Sequence, residues 1–209
     1  MGDLRPMRLL IILLLSCSLT ASAQLKTGPR AGLSLATIST GGLFNWNGLP
    51  KLGPILGWSF EVPWTAQASF LFEPMYISKG SLTQNAAQNT WTSVRLGYLE
   101  LPVMFKVSTD TVTNGFFLTA GFMVGYWLNG RQVTKQDGNV LFDQKYTLSG
   151  STDRTEYSAG IGLGWDRPKS RFEVRFQTSV SPFAALLQGQ NLIAGLHYTY
   201  LLPMAPKEK

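Results

Sequence analysis

The chain has 209 residues, with 18 Lys and Arg against 12 Asp and Glu and a net charge of +6. This length suits a single domain. The basic residues form no cluster, which argues against nucleic acid as a partner. After residue 23 no stretch is apolar over the roughly 20 residues that a helical membrane span requires. One histidine and one cysteine argue against a transition-metal site, and no cofactor is expected.

The first 23 residues have the three parts of a secretory signal peptide. Arg5 and Arg8 precede an apolar core over residues 9–15, and an Ala-Ser-Ala cleavage site ends at Ala23. The only cysteine, Cys17, lies inside this segment. Cleavage after Ala23 would leave a mature chain without thiol chemistry, and lipidation at Cys17 is the alternative.

Eight segments of alternating apolar and polar residues follow the signal peptide. They lie at about 28–37, 56–62, 66–76, 99–106, 116–126, 157–165, 171–180 and 191–200. Long gaps at about 38–52, 79–92 and 129–154, and a fourth through Pro182 and Gln188, alternate with short turns. Period-2 alternation predicts strands, and an even strand count with alternating loop length is typical of outer-membrane barrels.

The sequence therefore predicts an all-β fold, an eight-stranded antiparallel up-and-down transmembrane β-barrel. We expect a signal peptide at 1–23, the barrel at 24–202 and a short periplasmic tail at 203–209. Both chain ends would lie in the periplasm.

A soluble barrel that carries a ligand would show the same periodicity, with its apolar face lining a cavity. Glycines and charges share one face of these strands, which suits a narrow polar interior better than a water-facing surface. Aromatic residues also sort to the strand ends, where two girdles would meet the bilayer interfaces. These residues are Trp64, Phe116, Trp165, Phe172 and Tyr200 towards the periplasm, and Tyr76, Tyr126, Trp127 and Tyr157 towards the outside.

Three stretches resemble the PorT-like family of small outer-membrane barrels. They are Gly97–Val103 with Phe105 and Lys106 after it, Gly28–Leu33, and Phe72–Gly80. The resemblance spans nearly the whole mature chain and implies an eight-stranded barrel in the outer membrane of a Gram-negative bacterium. The family's namesake belongs to the type IX secretion apparatus, which makes an accessory role in secretion an expectation.

The polar faces predict a structural network inside the barrel. An eight-stranded barrel is just wide enough for side chains to fill it, and buried charges must be paired. The expected members are Glu73, Glu100, Lys106, Glu173, Arg175 and His197. A narrow ion or proton path through these groups is the alternative. His197 and Thr199 also match the spacing of a histidine and a hydroxyl in outer-membrane lipid deacylases, although no orienting acid is evident.

We therefore expect a non-enzymatic barrel with a structural or anchoring role and no catalytic residue. A small channel or transporter, a lipid-modifying enzyme and a soluble carrier are the alternatives. The expected partners are outer-membrane lipids, the outer-membrane insertion machinery and a protein bound through loop 129–154, since binding residues concentrate on loops that a rigid scaffold holds.

Overall fold

A computed structural model describes residues 25–40, 48–110, 114–146, 154–180 and 189–202. The predicted signal peptide, Cys17 and the predicted tail at 203–209 lie outside the described residues. The ten strands of the described part are β1 (Lys26–Thr40), β2 (Leu49–Pro63), β3 (Ala68–Phe72), β4 (Met75–Asn85), β5 (Thr90–Ser108), β6 (Gly115–Gln136), β7 (Asn139–Tyr146), β8 (Thr155–Arg167), β9 (Ser170–Ser179) and β10 (Gly189–Tyr200). Among these residues, no helix has the length and apolarity to cross a membrane.

The strands close into a ring because β1 pairs antiparallel with both β2 and β10. β3 and β4 form one barrel strand, since both pair with β2 on one side and β5 on the other. The interruption falls at Glu73 and Pro74, and proline has no N–H to donate to a strand ladder. Counting β3 and β4 together and setting β7 aside, the described residues form a ring of eight strands, which confirms the predicted fold.

Apolar side chains cover the outer wall of the ring, and charged side chains fill its interior. β9 shows the pattern most clearly. Phe172, Val174 and Phe176 are about half exposed, whereas Arg171, Glu173 and Arg175 on the other face are at most 1% exposed. A soluble carrier would have the opposite arrangement, so the cavity-lined barrel is excluded for the described residues. An apolar exterior is the surface that a lipid environment requires.

Two of the predicted long loops are wrong, because strands occupy most of them. The segment predicted as loop 79–92 contains the end of β4, a single 3-10 turn at Ala86–Gln88 and the start of β5. Within loop 129–154, β6 continues to Gln136 and turns back into β7. The turn is Asp137-Gly138 with φ of 49° and 84°, the pair of positive values that a type I′ hairpin turn requires. The two hairpins extend the wall of the barrel beyond the ring at one end, here called the hairpin end.

The opposite end, here called the short-turn end, carries tight connections. The Trp64 and Thr65 amides both donate to Ala68 O at 2.9 Å, closing the turn between β2 and β3. The predicted aromatic residues of this end lie on the outer wall, where Phe116 stacks against Trp165 with ring centroids 4.5 Å apart. Phe172 packs similarly against Tyr198 at 4.9 Å. Tyr200 is also exposed.

At the hairpin end the outward aromatic residues are Tyr126 and Tyr157, with Tyr76 half-buried. Trp127 needs a correction, because it is only 3% exposed and lies inside the barrel. Its neighbour Tyr126 faces outwards, and successive residues of a strand point to opposite faces. The Trp127 indole N–H donates to Asn129 O at 2.6 Å, so its polar edge is satisfied without the membrane interface.

Candidate functional site in the barrel interior

The interior of the ring is filled by three clusters of ion pairs, one layer of apolar side chains and a smaller apolar group of Leu71, Met104 and Met123. We name each cluster after one of its basic residues. The Lys106 cluster lies nearest the short-turn end, the Arg30 cluster follows it, and the Lys79 cluster adjoins the apolar layer. Each cluster combines residues from strands that are far apart in the sequence.

The Lys106 cluster joins two cations to two carboxylates. Lys106 bonds to Glu61 at 3.0 Å and also to Asp166. Arg171 donates to Glu61 at 2.6 Å and to Asp166 at 2.7 Å. The Phe117 ring lies 4.8 Å from the Lys106 ammonium and 5.3 Å from the Arg171 guanidinium. The charges of this cluster balance, and the ring covers the cations with its negative face.

The Arg30 cluster is also balanced in charge. Arg30 donates to Glu73 at 2.7 Å and to Glu173 at 2.6 Å. Arg175 donates to the same two carboxylates at 2.7 Å and 2.9 Å. All four side chains are at most 1% exposed. Glu173 also accepts from Thr119 at 2.8 Å, so the carboxylates of this cluster have several donors each, as buried charges require.

The Lys79 cluster has one cation for two carboxylates. Lys79 bonds to Glu100 at 2.8 Å and to Glu156 at 2.6 Å. Its ammonium also lies 4.5 Å from the centre of the Tyr98 ring. Amide groups supply the remaining donors, since Gln177 donates to both Glu100 oxygens and Asn191 donates to Glu156 at 2.6 Å. With both carboxylates ionised, the three charged residues carry a net charge of −1.

His197 belongs to the Arg30 cluster, where its ring is hydrogen-bonded to a cation although Glu173 lies opposite it on β9. Its Nδ1 accepts a hydrogen bond from Arg30 Nε at 3.1 Å, and Thr199 accepts from the same guanidinium at 3.3 Å. Its other ring nitrogen faces Gly195, where a Cβ atom would lie only 2.5 Å from Nε2. A histidine that is 2% exposed and accepts from a cation at Nδ1 lacks the carboxylate hydrogen bond at that nitrogen and the access that activation of a hydroxyl requires.

An apolar layer adjoins the Lys79 cluster, with Leu96 directly opposite Lys79. Its fully buried members come from β1, β2, β4, β5, β6 and β10, and they are Ala36, Ile55, Met75, Ile77, Leu96, Tyr98, Trp127 and Ile193. Ile38, Val94 and Tyr146 pack against this layer from the hairpin end. Water and ions would have to cross both this layer and three dense ion-pair clusters to pass through the ring.

The structure places all six predicted network residues inside the barrel, divided among the three clusters. Glu73, Glu173, Arg175 and His197 meet in one cluster, Glu100 lies in the next towards the hairpin end, and Lys106 lies in the cluster at the other end. Sequence reasoning missed their main partners, which are Arg30, Glu61, Lys79, Glu156, Asp166 and Arg171. Arg30, Glu61 and Arg171 do stand on the polar faces of predicted strands. Lys79, Glu156 and Asp166 fell in or beside segments read as loops and turns.

A second feature lies on the outer wall at the hairpin end, where cations stand side by side. Arg95 on β5 lies directly opposite Arg131 on β6, and Arg131 lies opposite Lys145 on β7. Arg131 pairs with Asp143 through two hydrogen bonds, one of them 2.7 Å long. The Lys51 ammonium reaches across β4 to the Val94 carbonyl at 3.1 Å and also bonds to Ser93. We name Lys51, Arg95, Arg131 and Lys145 the cationic patch.

The cationic patch lies beyond the apolar belt, and its charges act on one another. Partial burial, with the positive charge of Arg95 as a second cause, lowers the pKa of Lys51 to about 8. The hydrogen bonds from Arg131 lower the pKa of the Asp143 carboxyl. Lys51 is therefore a cation held at some electrostatic cost in neutral solution.

The outer wall carries two neighbouring apolar depressions, and the described residues contain no metal centre. One depression has a volume of about 670 Å³ and lies between β5 and β9, lined by residues such as Phe105, Leu118, Ile161 and Phe176. Its apolar lining faces the zone of acyl chains and offers no titratable group. No group of three or more His, Cys, Asp or Glu residues in the described ranges could hold a metal ion.

Comparison with known proteins gives one family and several solved structures. The family model described as "Outer membrane protein beta-barrel domain" matches residues 20–184. The attachment invasion locus protein Ail of Yersinia pestis is similar in structure, with a TM-score of 0.49 at 9% identity over 85% of this chain and 98% of Ail. Neisserial surface protein A has a TM-score of 0.47 at 10% identity over 83% of this chain and 96% of its own. No curated protein sequence matches the chain.

Proposed function

From the premise that this chain belongs to the outer membrane protein beta-barrel domain family and lies in the cell outer membrane, we propose that it is a closed, non-enzymatic barrel that anchors a partner. The observation that carries the proposal is the filled interior. Three ion-pair clusters and an apolar layer occupy the lumen of the described ring. Such a core gives a rigid scaffold for the two hairpins, which face the outside if the tight turns face the periplasm.

A channel or transporter is a weaker candidate for the same reason. Conduction needs a path along which an ion exchanges its water for weak, replaceable ligands. Here each interior carboxylate is held by at least one cation at short distance, and the apolar layer offers no charged ligand. A lipid-modifying enzyme is also weaker, because His197 is buried and bonded to Arg30.

The hairpin of β6 and β7 is the surface that would hold the partner. β7 pairs with β6 alone among the described strands, and an edge strand offers unpaired backbone groups to another chain. Near the tip of the hairpin, Val140, Leu141 and Phe142 are 56%, 60% and 45% exposed. Three consecutive exposed apolar residues on a water-facing edge strand are typical of an interaction surface. The resemblance to the PorT-like family makes a secretion apparatus the first class of assembly to test.

Two measurements test this proposal. The purified barrel in a planar bilayer should show no ion conductance above the background of the lipid, and steady single-channel currents would overturn the closed-barrel proposal. For the anchoring role, a photo-crosslinking residue is placed at Leu141 in intact cells, with Leu118 on the lipid-facing wall as the matched control. Leu141 should form a discrete protein adduct that Leu118 does not form. Equal labelling patterns at both positions would contradict a partner on the hairpin.

A further inference from the structure

The cationic patch has an arrangement that costs stability unless an anion offsets it. Like charges directly opposite each other on neighbouring strands repel, yet Arg95, Arg131 and Lys145 form one such row across three strands. Lys51 adds a fourth cation beside Ser93 and Val94. Asp143 is the carboxylate bonded to this row, which leaves the patch with a net charge of +3.

The height of the patch above the apolar wall indicates which anion can offset its charge. Tyr76 and Leu99 pair across β4 and β5 and face outwards at the upper edge of the apolar wall. Arg95 lies four residues further along β5, which is about 13 Å along a strand and roughly 10 Å in height for a strand tilted by about 40°. Headgroups occupy the layer immediately above the hydrocarbon, so the row of cations stands at their level.

The patch is also confined to one side of the barrel. Its residues come from β2, β5, β6 and β7, whereas the described hairpin-end segments of β1 and β10 carry no Lys or Arg. Arg154 adds a further cation next to β6, since its guanidinium lies 6.0 Å from the Tyr126 ring. A local concentration of cations is what a specific lipid site needs, since a uniform surface charge would only attract anions in general.

We propose that the cationic patch binds the phosphate-bearing headgroup of an outer-leaflet lipid whose headgroup carries a net negative charge. Arg95 and Lys145 flank Arg131, which keeps one guanidinium edge on Asp143 and turns its remaining donors to the ligand. Arginine suits this task because its planar donors match phosphate oxygens in pairs. The inference rests on the membrane position of the barrel and is independent of the anchoring role of the β6–β7 hairpin.

Native mass spectrometry of the full barrel in detergent tests the site with defined probes. The probes are dioctanoyl phosphatidic acid, dioctanoyl phosphatidylcholine and inorganic phosphate. The expected result is that one phosphatidic acid molecule is retained at a concentration about tenfold lower than phosphatidylcholine requires, because one or two additional cation contacts at a membrane surface are worth about that factor. Equal retention of the two lipids would overturn the site. Displacement of phosphatidic acid by an equal concentration of inorganic phosphate would overturn the lipid as its occupant.

The double variant Arg95→Gln/Lys145→Gln keeps the Arg131–Asp143 pair and removes two cations from the patch. It should lose the preference for phosphatidic acid, whereas Arg167→Gln/Lys169→Gln at the short-turn end should keep it. The gel shift between heated and unheated protein shows that each variant is folded. A folded double variant that still prefers phosphatidic acid would refute the assignment.

Discussion

Arg30 and Glu173 meet inside the barrel at 2.6 Å although their strands, β1 and β9, are not neighbours in the ring. β10 lies between these strands, so the contact crosses the lumen. On its other side Arg30 reaches Glu73 at 2.7 Å, with β2 in between. One guanidinium therefore ties three parts of the wall together. Because the Arg30–Glu173 contact spans the seam where β1 pairs with β10, the Arg30 cluster couples barrel closure to the pairing of its buried charges.

Replacing Arg30 should therefore destabilise the barrel strongly. Arg30→Met leaves Glu73 and Glu173 with Arg175 as their common cation, and breaking one partner of a buried pair costs about 3–5 kcal/mol. Arg30→Lys should recover only part of the loss, because an ammonium cannot reproduce the planar set of donors. The measurement is the free energy of unfolding in urea for protein folded into lipid vesicles.

The control for Arg30 is Arg131→Met, which removes a cation whose side chain is 55% exposed. Exposed ion pairs contribute little to stability, so this variant should unfold at nearly the urea concentration of the parent protein. A similar loss of unfolding free energy in both variants would mean that the buried ion pairs stabilise the barrel no more than exposed pairs do.

The unequal charges of the clusters predict unequal effects of two similar substitutions. Glu156→Gln removes the excess negative charge of the Lys79 cluster, and its amide oxygen can still accept from Lys79. Glu173→Gln leaves Arg30 and Arg175 with a single carboxylate in a balanced cluster. We expect a loss of about 1 kcal/mol for Glu156→Gln and about 3–5 kcal/mol for Glu173→Gln. Urea unfolding followed by tryptophan fluorescence distinguishes them, and equal losses would contradict the charge count.

The alternation of residues was enough to predict the ring of strands and which side chains point inwards. In β9, Arg175 and Phe176 could be assigned to opposite faces from periodicity alone. The pairing of Arg30 with Glu73 and Glu173 could not be predicted, because it depends on the stagger between strands when the ring closes. The Asp137-Gly138 pair is typical of a hairpin turn, but the polar residues around it favoured the interpretation of this segment as a loop.

Trp127 shows a different limit. Its aromatic character suggested the membrane interface. Because it follows the outward-facing Tyr126, its side chain points inwards instead. It packs in the apolar layer, and its indole N–H donates to Asn129 O. For such a residue the parity of the strand outweighs the chemical preference of the side chain.

The glycines of the interior predict a steric test of the Arg30 cluster. A Cβ atom on Gly162 would lie 2.4 Å from both Glu173 Oε1 and Thr119 Oγ1. Gly162→Ala must therefore displace the carboxylate, and overpacking of this kind costs about 1–3 kcal/mol. On Gly125 the nearest atom, in Tyr98, would be 3.4 Å away. Gly125→Ala should be tolerated in the same urea measurement. A larger loss of unfolding free energy for Gly125→Ala than for Gly162→Ala would show that the Arg30 cluster can shift without an energetic penalty.

The last prediction concerns Lys51, which lies outside the apolar belt. Burial and the charge of Arg95 lower the pKa of its ammonium from 10.5 to about 8. Because the folded state releases this proton more readily than the unfolded state, the stability contribution of Lys51 should rise with pH between about 8 and 10.5. Selective ¹³C labelling of lysine and NMR titration in micelles should show one Cε resonance with a midpoint near 8. Arg95→Gln should move that midpoint towards 10.5, and an unchanged midpoint would show that Arg95 does not act on Lys51.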